Sequence, residues 1–175
     1  NPCDFNQTKA ATIAISKYHG PVYLRFGRPS VPNFTAPNLK FEIGKGIILN
    51  PGSDVTIVAT GHLVWEALSA AEALEKNDIY ADVINIHTIK PIDKKIILDS
   101  VKKTRAIVSA EEHNYHGGLG ETVSRILSQN YPIPQEFVAT KDTFGESGKP
   151  AELMVKYQLS KEAIIDSCKK VIKRK

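Results

Sequence analysis

Short apolar segments and longer helix-like segments alternate from Val55 onward, and this alternation limits the possible folds more than any other feature. The apolar segments VTIVAT, ADVINIH and AIVSA are continuous and rich in β-branched residues, as is typical of strands buried on both faces. The segment after Gly61 instead carries apolar residues at helical spacing. Strand–helix alternation predicts right-handed βαβ crossovers and a mostly parallel sheet with helices on both faces.

The stretch before VTIVAT predicts one exception to this parallel arrangement. Residues 41–49 are expected to form one or two strands, and the tight turn at 50–53 joins them to the strand that begins at Val55. A turn of this kind connects antiparallel neighbours. We therefore predict an α/β fold of three layers, α/β/α, with a mostly parallel sheet of about five strands that includes one antiparallel strand. The remaining predicted elements are a strand at 137–139 and helices at 94–103, at 121–129, after Pro150 and after Ser160.

The N-terminal residues have a different character. Asp4 is a suitable N-cap for a helix over 7–19, and the segment PVYLRF at 21–26 is predicted to be a strand. Residues 27–39 contain three prolines, a density that neither a helix nor a central strand tolerates. A domain boundary is therefore expected in this proline-rich segment.

The chain is accordingly divided into three parts. We predict an incomplete α/β unit at 1–28, a linker at 29–40 and a complete domain at 41–175. Because the helix and strand of the first part lack sheet partners, they should be the least protected against hydrogen exchange. The chain also opens without an initiator methionine, which is typical of a piece of a longer protein.

Composition argues against several classes of protein. The formal net charge of +4 is mild, and the basic C-terminal residues lack interleaved aromatic ones, so no nucleic-acid partner is expected. Cys3 and Cys168 have neither disulfide-framework nor zinc-ligand spacing, and a reducing, cytoplasmic location suits them. No apolar run reaches the length that crosses a membrane, so no membrane partner is expected.

The segment AEEHNYHGGLG contains the first group of candidate functional residues. The strand AIVSA delivers Glu111, Glu112 and His113 to its C-terminal end, the edge at which open α/β sheets bind ligands. Glycines at that edge let backbone N–H groups approach an anion or a neighbouring chain. The same glycines also suit a plain strand-to-helix turn, and their spacing matches neither GxGxxG nor the P-loop.

Basic and imidazole side chains form the second group of candidates. Arg25 follows an apolar run, where a guanidinium is suited either to phosphate recognition or to an ion pair with the linker. His62 lies at a helix start, where capping or packing competes with a role in chemistry. His113 and His116 do not form the HExxH motif, so no metal site is predicted.

Several of these stretches resemble transketolases. PVYLRFGRPSVP is similar to the end of the family's pyrimidine-binding domain, and the order and spacing of the later motifs match its C-terminal domain. Those motifs are GSDVTIVATGHLVWEAL, ADVINIHTIKPID, IVSAEEHNYHGGLGETVSRIL and DTFGESGKPAELMVKY. Deoxyxylulose phosphate synthase and the beta subunit of 2-oxoacid dehydrogenases are alternatives that share the domain but match the later motifs less well.

The resemblance implies a transferase that moves a two-carbon ketol unit between sugar phosphates, with thiamine diphosphate and magnesium as cofactors of the complete enzyme. It implies that Arg25 binds the substrate phosphate, and it identifies no catalytic residue in this chain. In that family the glutamate that activates the cofactor, and the diphosphate and metal ligands, precede the matching region. These residues alone are therefore expected to bind no thiamine diphosphate and to be inactive.

The resemblance also implies partners. Residues 1–28 would be the tail of the pyrimidine-binding domain, and residues 41–175 the C-terminal domain, of a longer chain or of one subunit in a two-chain enzyme. The expected partners are an N-terminal section or subunit and, in the complete enzyme, a second copy. Candidates for contacts at an interface or behind the active site are Glu111, Glu112, His113, Gly117, Gly118, Gly120 and His62. The alternative is a free-standing α/β module that binds a partner or an anion without catalysis.

Overall fold

In the computed structural model, which describes residues 1–175, five strands form one sheet in the order β1-β3-β2-β4-β5. The strands are β1 Ile47–Asn50, β2 Val55–Ala59, β3 Ala81–Asn85, β4 Ile107–Asn114 and β5 Gln135–Thr140. Parallel pairs join β2 with β3, β2 with β4 and β4 with β5, whereas β1 runs antiparallel to β3. The predicted five-stranded sheet with one antiparallel strand is confirmed.

Helices cover both faces of this sheet. They are α1 Phe5–Ile15, α2 Leu63–Glu75, α3 Lys94–Thr104, α4 Leu119–Asn130, α5 Pro150–Lys156 and α6 Lys161–Ile172. One apolar cluster joins Ile57 and Val108 to α2 and α6, and a second joins Val58 and Ile107 to α3 and α4. Successive strand residues therefore point to opposite faces. The predicted three layers, α/β/α, are confirmed.

The antiparallel strand is placed differently from the prediction. β1 is joined by the tight turn to β2 but pairs with β3, so β1 and β2 are not neighbours. The turn crosses the start of β3, where the Gly52 N–H donates to the Asp82 carboxylate at 3.0 Å. A Cβ atom on Gly52 would lie 2.5 Å from the Tyr80 carbonyl oxygen. Glycine is therefore required at position 52, because any side chain would collide with the backbone at the start of β3.

The segment 21–26 is not a strand, which corrects the sequence prediction. It has an irregular backbone, and Tyr23 is 86% exposed. A strand needs a neighbour for its backbone N–H and C=O groups, and no strand of the sheet pairs with this segment. Helix α1 also ends at Ile15, before the predicted end at His19, and β1 occupies only the last part of the stretch predicted as strand.

The first turn of α1 is fastened to residues 34 and 35 and to the end of β3. The Asp4 carboxylate caps α1 by accepting the Gln7 N–H at 2.8 Å, and it also accepts the N–H groups of Phe34 and Thr35. The Gln7 side chain accepts a hydrogen bond from Asn85 at the end of β3, at 3.0 Å. The expected weak protection against hydrogen exchange therefore applies to residues 16–30, which are mostly exposed, rather than to the start of α1.

The two cysteines are free and buried. Burial raises the pKa of the Cys3 thiol to about 12 and also raises the pKa of the Cys168 thiol. Thiolates are the reactive form of cysteine, so both side chains serve as apolar packing residues. No helix in the structure combines the length and the apolar character needed to cross a membrane.

His87, just after β3, gives the fold a dependence on pH. The side chain is 2% exposed, and burial, with a smaller contribution from the positive N-terminal amine, lowers its pKa to about 4. Since the unfolded chain binds a proton near pH 6.5 and the folded chain does not, stability is complete above that pH and falls as the pH falls towards 4. Between about pH 7.5 and about pH 5, this histidine should lower the free energy of unfolding by about 2 kcal/mol.

Urea unfolding of the wild type and of His87→Gln at both pH values measures this effect. The glutamine variant does not titrate in this range, so its free energy of unfolding should change less between the two conditions. An equal change in the two proteins would contradict the assignment of the effect to His87.

Candidate functional site

The candidate site lies where the order of the strands reverses. β2 and β4 are neighbours, and the chain leaves β2 for β3 on one side and β4 for β5 on the other, so the two connections lead to opposite halves of the sheet. In open α/β sheets, ligands bind in the crevice outside the carboxyl ends of the strands at this point. Three side chains meet there: Arg25 from the irregular segment, His62 from the end of β2 and Glu112 from β4.

Arg25 is held by a backbone group and not by a carboxylate. Its Nη2 donates to the carbonyl oxygen of Glu112 at 2.6 Å, and no carboxylate oxygen lies within 4.0 Å of the guanidinium. A guanidinium has several further N–H donors in a fork that matches a tetrahedral oxyanion. Arg25 is also half-buried. Its hydrogen bond to the backbone orients the guanidinium and leaves further N–H groups able to bind an anion. The ion-pair alternative finds no partner among the described residues.

The side chain of Glu112 turns instead to His62. Its Oε2 lies 3.2 Å from the Nδ1 of His62. This hydrogen bond lowers the pKa of Glu112, against the opposing effect of burial, and the charge of Arg25 adds a smaller lowering. An ionised carboxylate only accepts hydrogen bonds, and Nδ1 is the ring nitrogen of His62 that faces it. His62 makes no capping hydrogen bond to α2, which excludes a capping role for its side chain.

Glu111 points to the opposite face of β4 and has a role inside the domain. It is 3% exposed, and its two carboxylate oxygens accept the N–H groups of Leu119 and Gly120 at 2.7 and 2.8 Å. These N–H groups belong to the first turn of α4, where the helix dipole favours a negative charge. The protein's own carboxylate thus occupies the anion-binding end of this helix.

The glycines of the same loop are explained by close packing. A Cβ atom on Gly118 would lie 2.7 Å from the Cδ of Glu111, and one on Gly120 would lie 2.6 Å from the Cε1 of Phe137. Gly117 has a φ of +73°, a conformation that favours glycine, and it is exposed. For Gly118 and Gly120, the geometry favours the strand-to-helix turn over an external anion site.

His113 and His116 do not converge on a common point. The Nδ1 of His113 lies 2.7 Å from the Asn114 carbonyl oxygen, whereas the Nδ1 of His116 lies 3.1 Å from Glu121. Glu121 also accepts the N–H of Gly117, the residue just before the N-cap of α4. Both histidines are exposed and available for contacts at an interface.

The described residues do not fit the magnesium–diphosphate group that the family resemblance implies. Magnesium is held by carboxylates and amide oxygens beside the phosphates. No group of three or more His, Cys, Asp or Glu side chains is placed to hold a metal ion. The basic C-terminal helix is likewise engaged within the domain, since Lys170 pairs with Glu136 at 2.7 Å and Arg174 pairs with the same carboxylate.

A comparison with known protein families identifies the domain. The family model of the transketolase C-terminal domain matches residues 44–164. The chain belongs to this family. The transketolase resemblance inferred from the motifs is therefore confirmed, and the chain is part of a family of transferases.

Relatives of this transketolase domain match it along nearly its whole length, including the segment that carries Arg25. A 6-deoxy-6-sulfo-D-fructose transketolase subunit from Clostridium sp. (strain MSTE9) is 41% identical over 174 residues, which are 99% of this chain and 54% of the relative. A transketolase C-terminal section from Methanocaldococcus jannaschii is 41% identical over 167 residues, 93% of this chain and 52% of the relative.

A solved structure that is highly similar to this chain supports the fold. The structure titled split gene transketolase, inactive beta4 tetramer, has a TM-score of 0.96 and 42% identity, and covers 99% of this chain and 57% of that one. The chain spans about half the length of the curated relatives it matches. It thus contains the transketolase C-terminal domain with a preceding segment.

Proposed function

We propose that this domain is part of an enzyme that transfers a two-carbon ketol unit between sugar phosphates with thiamine diphosphate, and that Arg25 binds the substrate phosphate. The observation that carries the proposal is the placement of Arg25. Its guanidinium lies at the switch point of the sheet, oriented by the Glu112 carbonyl group and free of any carboxylate. That is the condition in which an arginine can bind a phosphate bidentately.

The similar Clostridium protein supports an anionic substrate. Its name specifies a sugar with a sulfo group at one end. Sulfonate and phosphate are both tetrahedral oxyanions, and a guanidinium binds either through the same fork of N–H groups. The class of substrate proposed here is therefore a sugar with a terminal oxyanion, and phosphate is the proposed member of that class.

The cofactor requires a partner in this proposal. Because these residues do not supply the ligands of a magnesium–diphosphate group, an N-terminal section or subunit would supply them. The similar split-gene structure is titled as an inactive tetramer, in agreement with an inactive C-terminal section. We propose that the complete enzyme also contains a second copy of this section.

The test is ketol transfer by the complete enzyme, with a ketose phosphate donor and an aldose acceptor with or without its phosphate. Arg25→Ala should raise the KM for the phosphorylated acceptor about 10- to 100-fold, because a charge-assisted bidentate contact is lost. The KM for the acceptor without phosphate should stay within about twofold of the wild type. Arg25→Lys should give an intermediate KM, since lysine keeps the charge but not the fork.

Arg28→Ala is the matched control. Arg28 lies three residues further on, is exposed and makes no side-chain hydrogen bond or ion pair within the domain, so its removal should leave both KM values unchanged. An unchanged KM for the phosphorylated acceptor in Arg25→Ala would reject the phosphate role. An enzyme that is inactive on sugar phosphates but decarboxylates a 2-oxoacid would place the protein in the dehydrogenase branch.

A further inference from the structure

His62 lies between the two segments that determine the position of Arg25. On one side its Nδ1 lies 3.2 Å from the Glu112 carboxylate. On the other side its ring packs against the backbone of Gly27, where an added Cβ atom would overlap the imidazole ring and lie 2.9 Å from its Nδ1. His62 therefore contacts both the residue that orients Arg25 and the backbone just beyond it.

Glu112 takes part in this arrangement through two separate groups. Its carbonyl oxygen accepts the Arg25 hydrogen bond, whereas its carboxylate accepts the His62 hydrogen bond. The carboxylate side chain is 45% exposed, so it could rotate if His62 did not hold it. A carboxylate released so close to a guanidinium would form the usual arginine–carboxylate pair and would compete with a substrate oxyanion for the same N–H groups.

We propose that His62 is a positioning residue that keeps the Glu112 carboxylate away from Arg25 and supports the backbone at Gly27, so that the guanidinium is free for the terminal oxyanion of the substrate. This inference rests on the proposed role of Arg25. It gives a second residue of the C-terminal domain, beside Glu112, a part in orienting the arginine of the preceding segment.

A simple packing role predicts different kinetics from a positioning role. If His62 only stabilised the domain, its replacement would affect acceptors with and without phosphate to the same extent. If it positions Arg25, its replacement changes the KM for the phosphorylated acceptor alone. The comparison between the two acceptors therefore separates the two roles.

The experiment measures both KM values in the complete enzyme for wild type, Arg25→Ala, His62→Ala and His62→Asn. His62→Ala should raise the KM for the aldose phosphate about 3- to 10-fold, and the KM for the aldose should stay within about twofold. His62→Asn retains an N–H donor for the Glu112 carboxylate and should restore most of the affinity. Arg25→Ala should remove the effect of His62→Ala, because the two act through one guanidinium.

Glu112 provides a second line of evidence. In the His62→Ala background, Glu112→Gln removes the competing charge and should return the KM for the aldose phosphate towards the wild-type value. The backbone carbonyl that orients Arg25 is kept in this double variant, so the change reports on the carboxylate alone. His62→Asn keeps a polar side chain at this position and supplies the same comparison of the two KM values if His62→Ala does not fold.

Each outcome has a distinct meaning. If Arg25→Ala does not change the KM for the phosphorylated acceptor, the proposed function of Arg25 is wrong, and the role of His62 is wrong with it. If Arg25→Ala acts but His62→Ala does not, or changes both KM values equally, the function stands and the positioning role is overturned. An unchanged KM for the phosphorylated acceptor on adding Glu112→Gln to His62→Ala would also overturn it.

Discussion

Replacing Glu111 by alanine is expected to lower the free energy of unfolding by about 3 kcal/mol. The buried carboxylate accepts hydrogen bonds from two backbone N–H groups of α4. Its removal leaves both N–H groups buried without a hydrogen-bond partner. The favourable interaction with the helix dipole is lost as well. For a chain of this size, the loss corresponds to a decrease in Tm of about 6 to 12 °C.

Urea and thermal unfolding measure this effect, with Glu72→Ala as the matched control. Glu72 is an exposed glutamate on α2 that pairs only with Lys76 on the same helix, so its loss should cost no more than about 0.5 kcal/mol. Glu111→Gln keeps one acceptor oxygen and should lie between the wild type and Glu111→Ala. Equal stability of Glu111→Ala and Glu72→Ala would show that the cap of α4 contributes little.

Replacing Asp4 by alanine is expected to loosen α1 from residues 34 and 35, at a cost of about 3 kcal/mol. The Asp4 carboxylate accepts the N–H groups of Gln7, Phe34 and Thr35, and also the Thr35 hydroxyl group at 2.7 Å. Helix α1 and the linker are thus joined through one buried side chain. Hydrogen exchange should become faster in α1 and at 33–35, whereas β2 and β3 should keep their protection.

The control for this variant is Asp99→Ala. Asp99 is an exposed residue of α3 that pairs with Lys95, and its loss should leave the exchange rates of the N-terminal segment unchanged. Asp4→Asn retains an acceptor for the helix N-cap and should show a smaller effect. A uniform increase of exchange across the whole sheet would mean that the N-terminal segment and the sheet unfold together.

The sequence predicted the strands of the sheet better than the structure of the N-terminal segment. The reason is that the central strands are buried on both faces, whereas the segment 21–26 has no neighbouring strand. β2 and β3 are buried along their whole length, and such strands have continuous apolar sequences that are easy to recognise. The segment 21–26 has a similar sequence but no neighbouring strand in this structure. A local pattern indicates that a segment can be a strand, but only the tertiary structure supplies the partner.

Arg25, His62 and Glu112 were each candidates from the sequence, but the contact that joins them was not predictable. His62 and Glu112 are far apart in sequence, and no spacing rule links them. The alternation of side chains along a strand could have assigned Glu111 and Glu112 to opposite faces, and hence to different roles. The pairing of β1 with β3 was not predictable from the turn, because that turn crosses the start of β3 instead of closing a hairpin.

The two adjacent glutamates also limit how this strand end can evolve. Glu111 must face α4, and Glu112 must face His62, so a single inserted or deleted residue between Ile107 and Glu112 would exchange their directions. The helix would lose its cap and the arginine would lose its orienting neighbour in one genetic event. Changes of length should therefore be found beyond this point, among the exposed residues around Gly117, while the strand itself keeps a constant length.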